Sequence, residues 1–267
     1  MNVITLTGNE TRHKYFKVKL SLSENINVIK TYAESNESSL LNRVVNNKSS
    51  SNLERHHVVA RDQSELDYFQ DYLKCNQDLS KTTLIPKGHI NEYRIVENII
   101  KLNPDFIVCY GSSIIKSELI THFANRFINV HLGISPYYRG SGTNVWPIIN
   151  SEFDLIGATY MFLNKGIDTG NIIHQIRAKI FLGDSPHSIG NRLIKKMTDV
   201  YIELLNKFQH LDVLDQPLFS GKLYLRKDFN NVACELLYKN CETRNLSKFL
   251  SKDESSYKSI LIQPLLA

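Results

Sequence analysis

Between residues 91 and 130 the chain alternates helical segments with short apolar runs. Residues 91–102 place Ile95, Ile99 and Leu102 on one side of a helix. Asn103 and Pro104 stop it, because the residue before proline is pushed out of helical geometry. Asp105–Tyr110 then reads as a buried strand, Lys116–Ala124 as a short helix and Phe127–Val130 as a further strand. Strands joined through helices pair in parallel with right-handed crossovers, so the expected core is an α/β, open, mostly parallel sheet flanked by helices.

The rest of the chain extends this pattern. Val3–Leu6 reads as an opening strand that turns at Thr7, Gly8 and Asn9 into a helix over Lys14–Leu20, and Ile26–Tyr32 as a second strand. The polar stretch Ser35–Asn52 carries little periodicity and is expected to include a mobile surface loop. Asp62 and Glu65 have the spacing of a capping box, with Leu66, Phe69 and Leu73 following at helical spacing. Leu155–Leu163 and Ile172–Ile180, joined by a glycine-flanked turn, read as strands that pair antiparallel. Ser185 and Pro186 open a long helix with Ile189, Leu193, Met197, Val200 and Leu204 on its apolar face. Residues 1–211 are expected to form the main domain. Residues 212–267 are expected to form a small α+β subdomain ending in the apolar tail Ile260–Leu266.

Charge and cysteine usage narrow the function classes. A net charge of +5 without dense basic runs suits a phosphorylated small molecule better than nucleic acid. Cys75, Cys109, Cys234 and Cys241 are widely spaced, as free thiols in a reducing compartment are. Met1–Glu10 lacks a basic segment followed by an apolar core, and no apolar run reaches the roughly 18 residues of a membrane span. A cytoplasmic protein without a membrane partner is expected, and a homodimer is allowed for.

Asn129 and His131 alternate about Val130 at the carboxyl end of a predicted strand, so both side chains point to one face of the sheet. In open parallel sheets the ligand crevice lies outside that end of the strands, and Asp168 sits in a glycine-flanked turn after another strand. An amide, an imidazole and a carboxylate together suit acyl transfer: one fixes a carbonyl oxygen, one handles a proton, one orients the imidazole. That chemistry requires no metal.

The segments Phe127-Ile-Asn129-Val-His131-Leu-Gly-Ile-Ser-Pro136-Tyr-Tyr-Arg139-Gly140 and Gly166-Ile167-Asp168-Thr-Gly170 resemble the folate-dependent formyltransferase family. The resemblance covers about residues 103–205. It departs from the family at Leu132-Gly-Ile-Ser135, where a Pro-Ser-Leu-Leu type sequence is common. It implies a Rossmann-like catalytic domain over residues 1–211 and 10-formyltetrahydrofolate as formyl donor and co-substrate. The pterin would lodge against Tyr110, Gly111, Ser112, Ser113, Ile114 and the turn at Gly166 and Ile167. Asn129 would hold the formyl oxygen, His131 accept the amine proton, and Asp168 stabilise the imidazolium.

The acceptor is expected to be an amine on a nucleotide-linked amino sugar of surface-polysaccharide biosynthesis. Residues 221–229 are similar to a stretch after the core of sugar formyltransferases, and too little chain follows the core for the tRNA-binding barrel of methionyl-tRNA formyltransferases. Gly8, Asn9 and Arg12 lie where a helix start can hold a phosphate, and Arg139 is expected to contact the same acceptor. The alternatives are a 10-formyltetrahydrofolate hydrolase, an enzyme acting on methionyl-tRNA or glycinamide ribonucleotide, and a non-catalytic nucleotide-sugar binding module.

Other signals lead elsewhere. Gly140-Ser-Gly142 has Val145 where a dinucleotide fingerprint needs a third glycine, and reads as a turn into a helix over Thr143–Asn150. His56 and His57 read as a solvated surface pair. Trp146 reads as a core residue. Ser112 and Ser113 lack the elbow of a nucleophilic serine.

Overall fold

The computed structural model describes residues 1–37, 39–217 and 221–266. In chain order its elements are β1 (Asn2–Thr7), α1 (Thr11–Ser21), β2 (Asn27–Glu34), α2 (Leu40–Asn46), α3 (Asn52–Cys75), β3 (Thr82–Ile85), α4 (Tyr93–Leu102), β4 (Phe106–Tyr110), α5 (Ser117–His122) and β5 (Phe127–His131). There follow β6 (Tyr138–Gly140), α6 (Trp146–Ile149), β7 (Gly157–Phe162), β8 (Ile172–Arg177), α7 (Pro186–Lys207), β9 (Lys222–Tyr224), α8 (Asn231–Asn240) and α9 (Thr243–Leu250).

Seven strands form one sheet in the order β3-β2-β1-β4-β5-β7-β8, and β6 pairs with β9 apart from it. The first five run parallel, while β7 is antiparallel to both β5 and β8. This is the mostly parallel α/β sheet that the alternation of runs predicts. Its crossover from β3 back to β4 sets the switch point between β1 and β4, where the ends of neighbouring strands diverge and leave a crevice.

Period-two alternation sorts the side chains. Val3, Val108, Tyr110, Ile128 and Val130 face one way, against Phe16 of α1 and Leu193, Met197 and Leu204 of α7. Ile4, Leu6, Ile107, Cys109 and Phe127 face the other, against Val96 and Ile99 of α4 and Leu119 of α5. Each fully buried aliphatic side chain of this kind contributes roughly 1.5–3 kcal/mol. Asn129 and His131 continue the row of Phe127, so they emerge on the α4/α5 face beyond the end of the apolar layer.

A third apolar cluster joins Ile134, Tyr138, Trp146, Ile148, Phe153 and Leu155 to Tyr224, Ala233, Leu237, Leu246 and Phe249. Trp146 is a core residue as expected, its ring stacked on Tyr224 at a centroid distance of 4.3 Å. The tail lies along β8, where the Gln175 N–H donates to the Leu261 carbonyl at 2.7 Å and the Gln263 amide to the Ile173 carbonyl at 2.9 Å.

Several local expectations are corrected. The stretch Ser35–Asn52, expected to include a surface loop, also contains α2, which is capped by the Ser39 hydroxyl and carries Leu40, Leu41, Val44 and Val45 at helical spacing; residue 38 lies outside the described residues. The helix expected to start at Asp62 starts at Asn52, where Ser51 and Glu54 form the capping box. Glu65 is therefore mid-helix, and its carboxylate is consumed by Arg12 and Arg61. Among the described residues the helix expected over Thr143–Asn150 spans only Trp146–Ile149. His57 is not solvated: it is 3% exposed and faces Tyr238 of α8, while His56 is exposed.

Candidate active site

His131 is 7% exposed, and each ring nitrogen faces an oxygen. Nε2 lies 3.0 Å from the Tyr138 carbonyl, and Nδ1 lies 3.4 Å from Asp168 Oδ2. A carbonyl only accepts, so Nε2 carries a proton and Nδ1 of the neutral ring carries the lone pair. Asp168 stands beside that lone pair, ready to partner a second proton. Asn129, two residues earlier on the same face, is half-buried.

Asp168 is held by the loop that follows β5. Its Oδ2 accepts from the Gly140 N–H at 2.8 Å, and its carbonyl accepts from the Gln216 amide at 3.1 Å. It has φ +52°, in the left-handed region that Asp tolerates better than most residues, and this aims the carboxylate back at β5. At Gly133 any Cβ would lie 2.6 Å from His131 Nε2 and 2.8 Å from Thr143 Cβ, so the loop can pass over the imidazole only with glycine there.

The other residues singled out in the sequence fall into three groups. In the 110–114 loop, the Tyr110 side chain points into the core beside Phe16 and His13 rather than into a ligand site, and its hydroxyl has no partner among the described residues. Gly111 has φ +73° and lies under the His13 ring, where a Cβ would sit 2.2 Å from Nε2. Ser112 Oγ lies 3.0 Å from Cys109 Sγ, and the Ser113 N–H donates to Glu34 at 2.6 Å. Ile114 is 78% exposed and Ile167 44%, two apolar side chains open to a ligand. The Gly166 N–H donates to Asn164.

Arg12 is not the free cation expected at a phosphate site. Its guanidinium donates to both oxygens of Glu65 at 2.8 and 2.9 Å and also pairs with Glu10. Burial opposes the charge on Arg12, but the two carboxylates outweigh it and raise its pKa; burial likewise opposes the Glu65 charge, and Arg12 and Arg61 hold that carboxyl below its usual range. Gly8 packs against the His13 ring, and the Asn9 carbonyl accepts from Asn36 at 3.1 Å. Arg139 differs: it lies on β6 next to Gly140, and its Nε is without a partner among the described residues.

The sequence offered no signal for two residues that organise this end of the sheet. Glu34, fully buried at the end of β2, receives Lys87 at 2.7 Å, the Gly88 N–H at 2.8 Å and the Ser113 N–H, so it ties three strand-end loops together. His13 fills the switch-point crevice between Gly8 and Gly111; burial first, then Arg12, Arg61 and Lys87, push its pKa well below the usual range and keep it neutral. Both become visible only when distant strand ends are brought side by side. Among the described residues no group of three or more His, Cys, Asp and Glu side chains could hold a metal ion, and no helix is long and apolar enough to cross a membrane.

Comparison with known proteins places this geometry. A sugar N-formyltransferase from a Shewanella species superposes at a TM-score of 0.57, with 17% identity over 90% of this chain and 87% of that one. An N-formyltransferase from Helicobacter canadensis, solved with folinic acid and dTDP-3-aminofucose, gives a TM-score of 0.57 with 15% identity over 90% and 81% of the two chains. At these identities the likeness is one of fold. In sequence, the methionyl-tRNA formyltransferase of Finegoldia magna is 32% identical over 137 residues, which is 48% of this chain and 43% of that protein. The chain thus spans under half the length of such relatives. The family model described as formyl transferase matches residues 25–205, and the chain belongs to that family.

Proposed function

We propose that this protein transfers the formyl group of 10-formyltetrahydrofolate to an amine of a nucleotide-linked amino sugar. The observation that carries the reading is the convergence of His131 and Asp168 on one face beside Asn129, in a chain of this family. The donor would lie across the loop 110–114 and the turn 166–168, with Ile114 and Ile167 offering apolar contact to the pterin and backbone groups reading its edge. Residues 1–211 would carry the chemistry, and residues 212–267 would adjoin the acceptor.

The acceptor amine attacks the formyl carbon, and the carbonyl oxygen becomes an oxyanion that the Asn129 amide stabilises. The amine proton passes to the His131–Asp168 pair, in which the carboxylate supports the imidazolium while Tyr138 holds the ring. Collapse of the intermediate breaks the bond from the formyl carbon to folate nitrogen, and the same proton returns to that nitrogen. The products are the formamide and tetrahydrofolate. No covalent enzyme intermediate is needed.

The choice of acceptor is supported by the two sugar-enzyme folds, which overlap 90% of this chain, including the region beyond residue 211. Arg139, half-buried on β6 beside the Asp168-bound Gly140, would turn its guanidinium to an anionic acceptor. The methionyl-tRNA relatives favour a second reading, with aminoacyl-tRNA as acceptor. The test is folate-product formation from 10-formyltetrahydrofolate with a panel of amino-sugar nucleotides and with methionyl-tRNA, using wild type, His131→Ala and a no-acceptor control. Turnover with an amino-sugar nucleotide, lost in the variant, is expected. Turnover with the tRNA alone would establish the second reading, and acceptor-independent formate release would establish a hydrolase.

A further inference from the structure

His131, Thr159 and Gln175 are directly opposite one another on β5, β7 and β8, so their side chains form one row across a single face of the sheet. The row ends at the tail, where Gln175 exchanges two hydrogen bonds with Leu261: its N–H donates to the Leu261 carbonyl at 2.7 Å, and its Oε1 accepts from the Leu261 N–H at 2.9 Å. A buried sheet face of this kind is normally apolar, yet Thr159 is 0% exposed and Gln175 3%.

Every side-chain polar atom of Thr159 and Gln175 has a partner. Gln175 Nε2 donates to the Ser135 carbonyl at 2.6 Å and to Thr159 Oγ1 at 2.9 Å. Thr159 Oγ1 also accepts from the Ser135 N–H at 2.9 Å and donates to the Gly133 carbonyl at 2.7 Å. Residues 133–135 are thus held at three backbone atoms. The same loop supplies the Tyr138 carbonyl that receives His131 Nε2 and the Gly140 N–H that holds Asp168.

The geometry points to Gln175 and Thr159 as positioning residues: they lock the 133–140 loop so that it presents its acceptor to His131 and its donor to Asp168, and they connect the carboxyl-terminal tail to the base. They touch neither donor nor acceptor. Thr159 and Gln175 are fully hydrogen-bonded, so losing either one strands the groups it holds and frees the loop as a unit. A shift of about 1 Å in a reacting group can cost on the order of 100-fold in rate. The donor loop hangs instead from Glu34, on the far side of β4, and is not part of this row. The catalytic consequence rests on formyl transfer at His131; the placement of the ring does not.

Two readouts separate these claims. Gln175→Leu and Thr159→Val each cut the row, and Leu261→Pro removes the tail N–H, together with a half-buried side chain outside the row, while leaving Gln175 and Thr159 in place. In ligand-free protein, the imidazole ¹⁵N resonances of His131 are expected to move in all three variants. In turnover, kcat is expected to fall between about 10- and 100-fold, with the donor KM changed less than about twofold. The Gln175→Leu/Thr159→Val double variant is expected to be no slower than the slower single variant, because the two residues act through one loop. Unchanged His131 resonances, multiplying kcat losses, or a loss confined to KM would overturn the inference. If a buried-site variant fails to fold, Leu261→Pro decides alone. Wild type that transfers no formyl group would refute the functional reading, while the His131 resonances still judge the row.

Discussion

Asp168 combines an unusual backbone conformation with a carboxylate that serves two masters, Gly140 and His131. Asp168→Asn keeps an acceptor for the Gly140 N–H but removes the charge that supports a second proton on the ring. Its kcat is expected to fall by about 100-fold or more while urea unfolding changes little. Asn129→Ala, which removes the proposed oxyanion donor, is expected to cost roughly 100- to 1,000-fold in kcat. Gly111→Ala tests the crevice packing: a left-handed alanine costs about 1–2 kcal/mol before any clash with His13. Thermal melts should show that loss, and it should shrink in a His13→Ala background; equal losses in both backgrounds would mean the ring is not what limits the site. The Asn-x-His and Asp-Thr-Gly words singled out from sequence the residues proposed to react, and the fold brings His131 and Asp168 within 3.4 Å of each other. The contacts of those residues were not legible from sequence, because Tyr138 and Gly140 act through a backbone carbonyl and N–H, and residue type does not say which side chains those atoms meet.

At the scale of elements, α3, α7 and α8 meet over a polar contact rather than an apolar one. His57 Nδ1 and His187 Nε2 lie 3.2 and 3.3 Å from the Tyr238 hydroxyl. Burial first, then neighbouring cations and histidines, push His57 down to about 3 and His187 down to about 4. The unfolded chain binds protons near pH 6.5 that the folded junction refuses, so stability is full above that pH and is lost as pH falls toward 4. Each such group contributes a slope of up to about 1.4 kcal/mol per pH unit, less where solvent reaches the ring. His13 and His174, also held neutral, act in the same direction. Urea midpoints between pH 7 and 5 should therefore drop, and a His57→Gln/His187→Gln variant should show a shallower slope. An unchanged slope would remove this junction from the account. The strands β4 and β5 were readable as short continuous apolar runs, because both of their faces are buried, and α7 was readable from its apolar face at helical spacing. The course of α3 was not: its inner face carries His57 and Glu65, and a polar inner face looks like a solvated one until Arg12 and Tyr238 arrive from distant parts of the chain.

For the whole molecule, the question is whether residues beyond 211 are an appendage or part of the core. Tyr224, Leu237, Leu246 and Phe249 complete the cluster around Trp146, and the tail closes the row that ends at His131. A chain ending at residue 211 is expected to lose cooperative unfolding and resist isolation as a folded protein; a cooperative, soluble 1–211 fragment would establish two independently folding parts. The division at 211 was drawn from chain length and helix signals, which carry no information about shared packing. The proposed chemistry has a more direct test in the fate of the formyl carbon itself. With 10-formyltetrahydrofolate isotopically labelled in the formyl group, label is expected to appear as formamide on the acceptor amine, one for each tetrahydrofolate released, and to stop appearing in Asp168→Asn and His131→Ala. Label recovered as formate at the same rate with and without acceptor would contradict it.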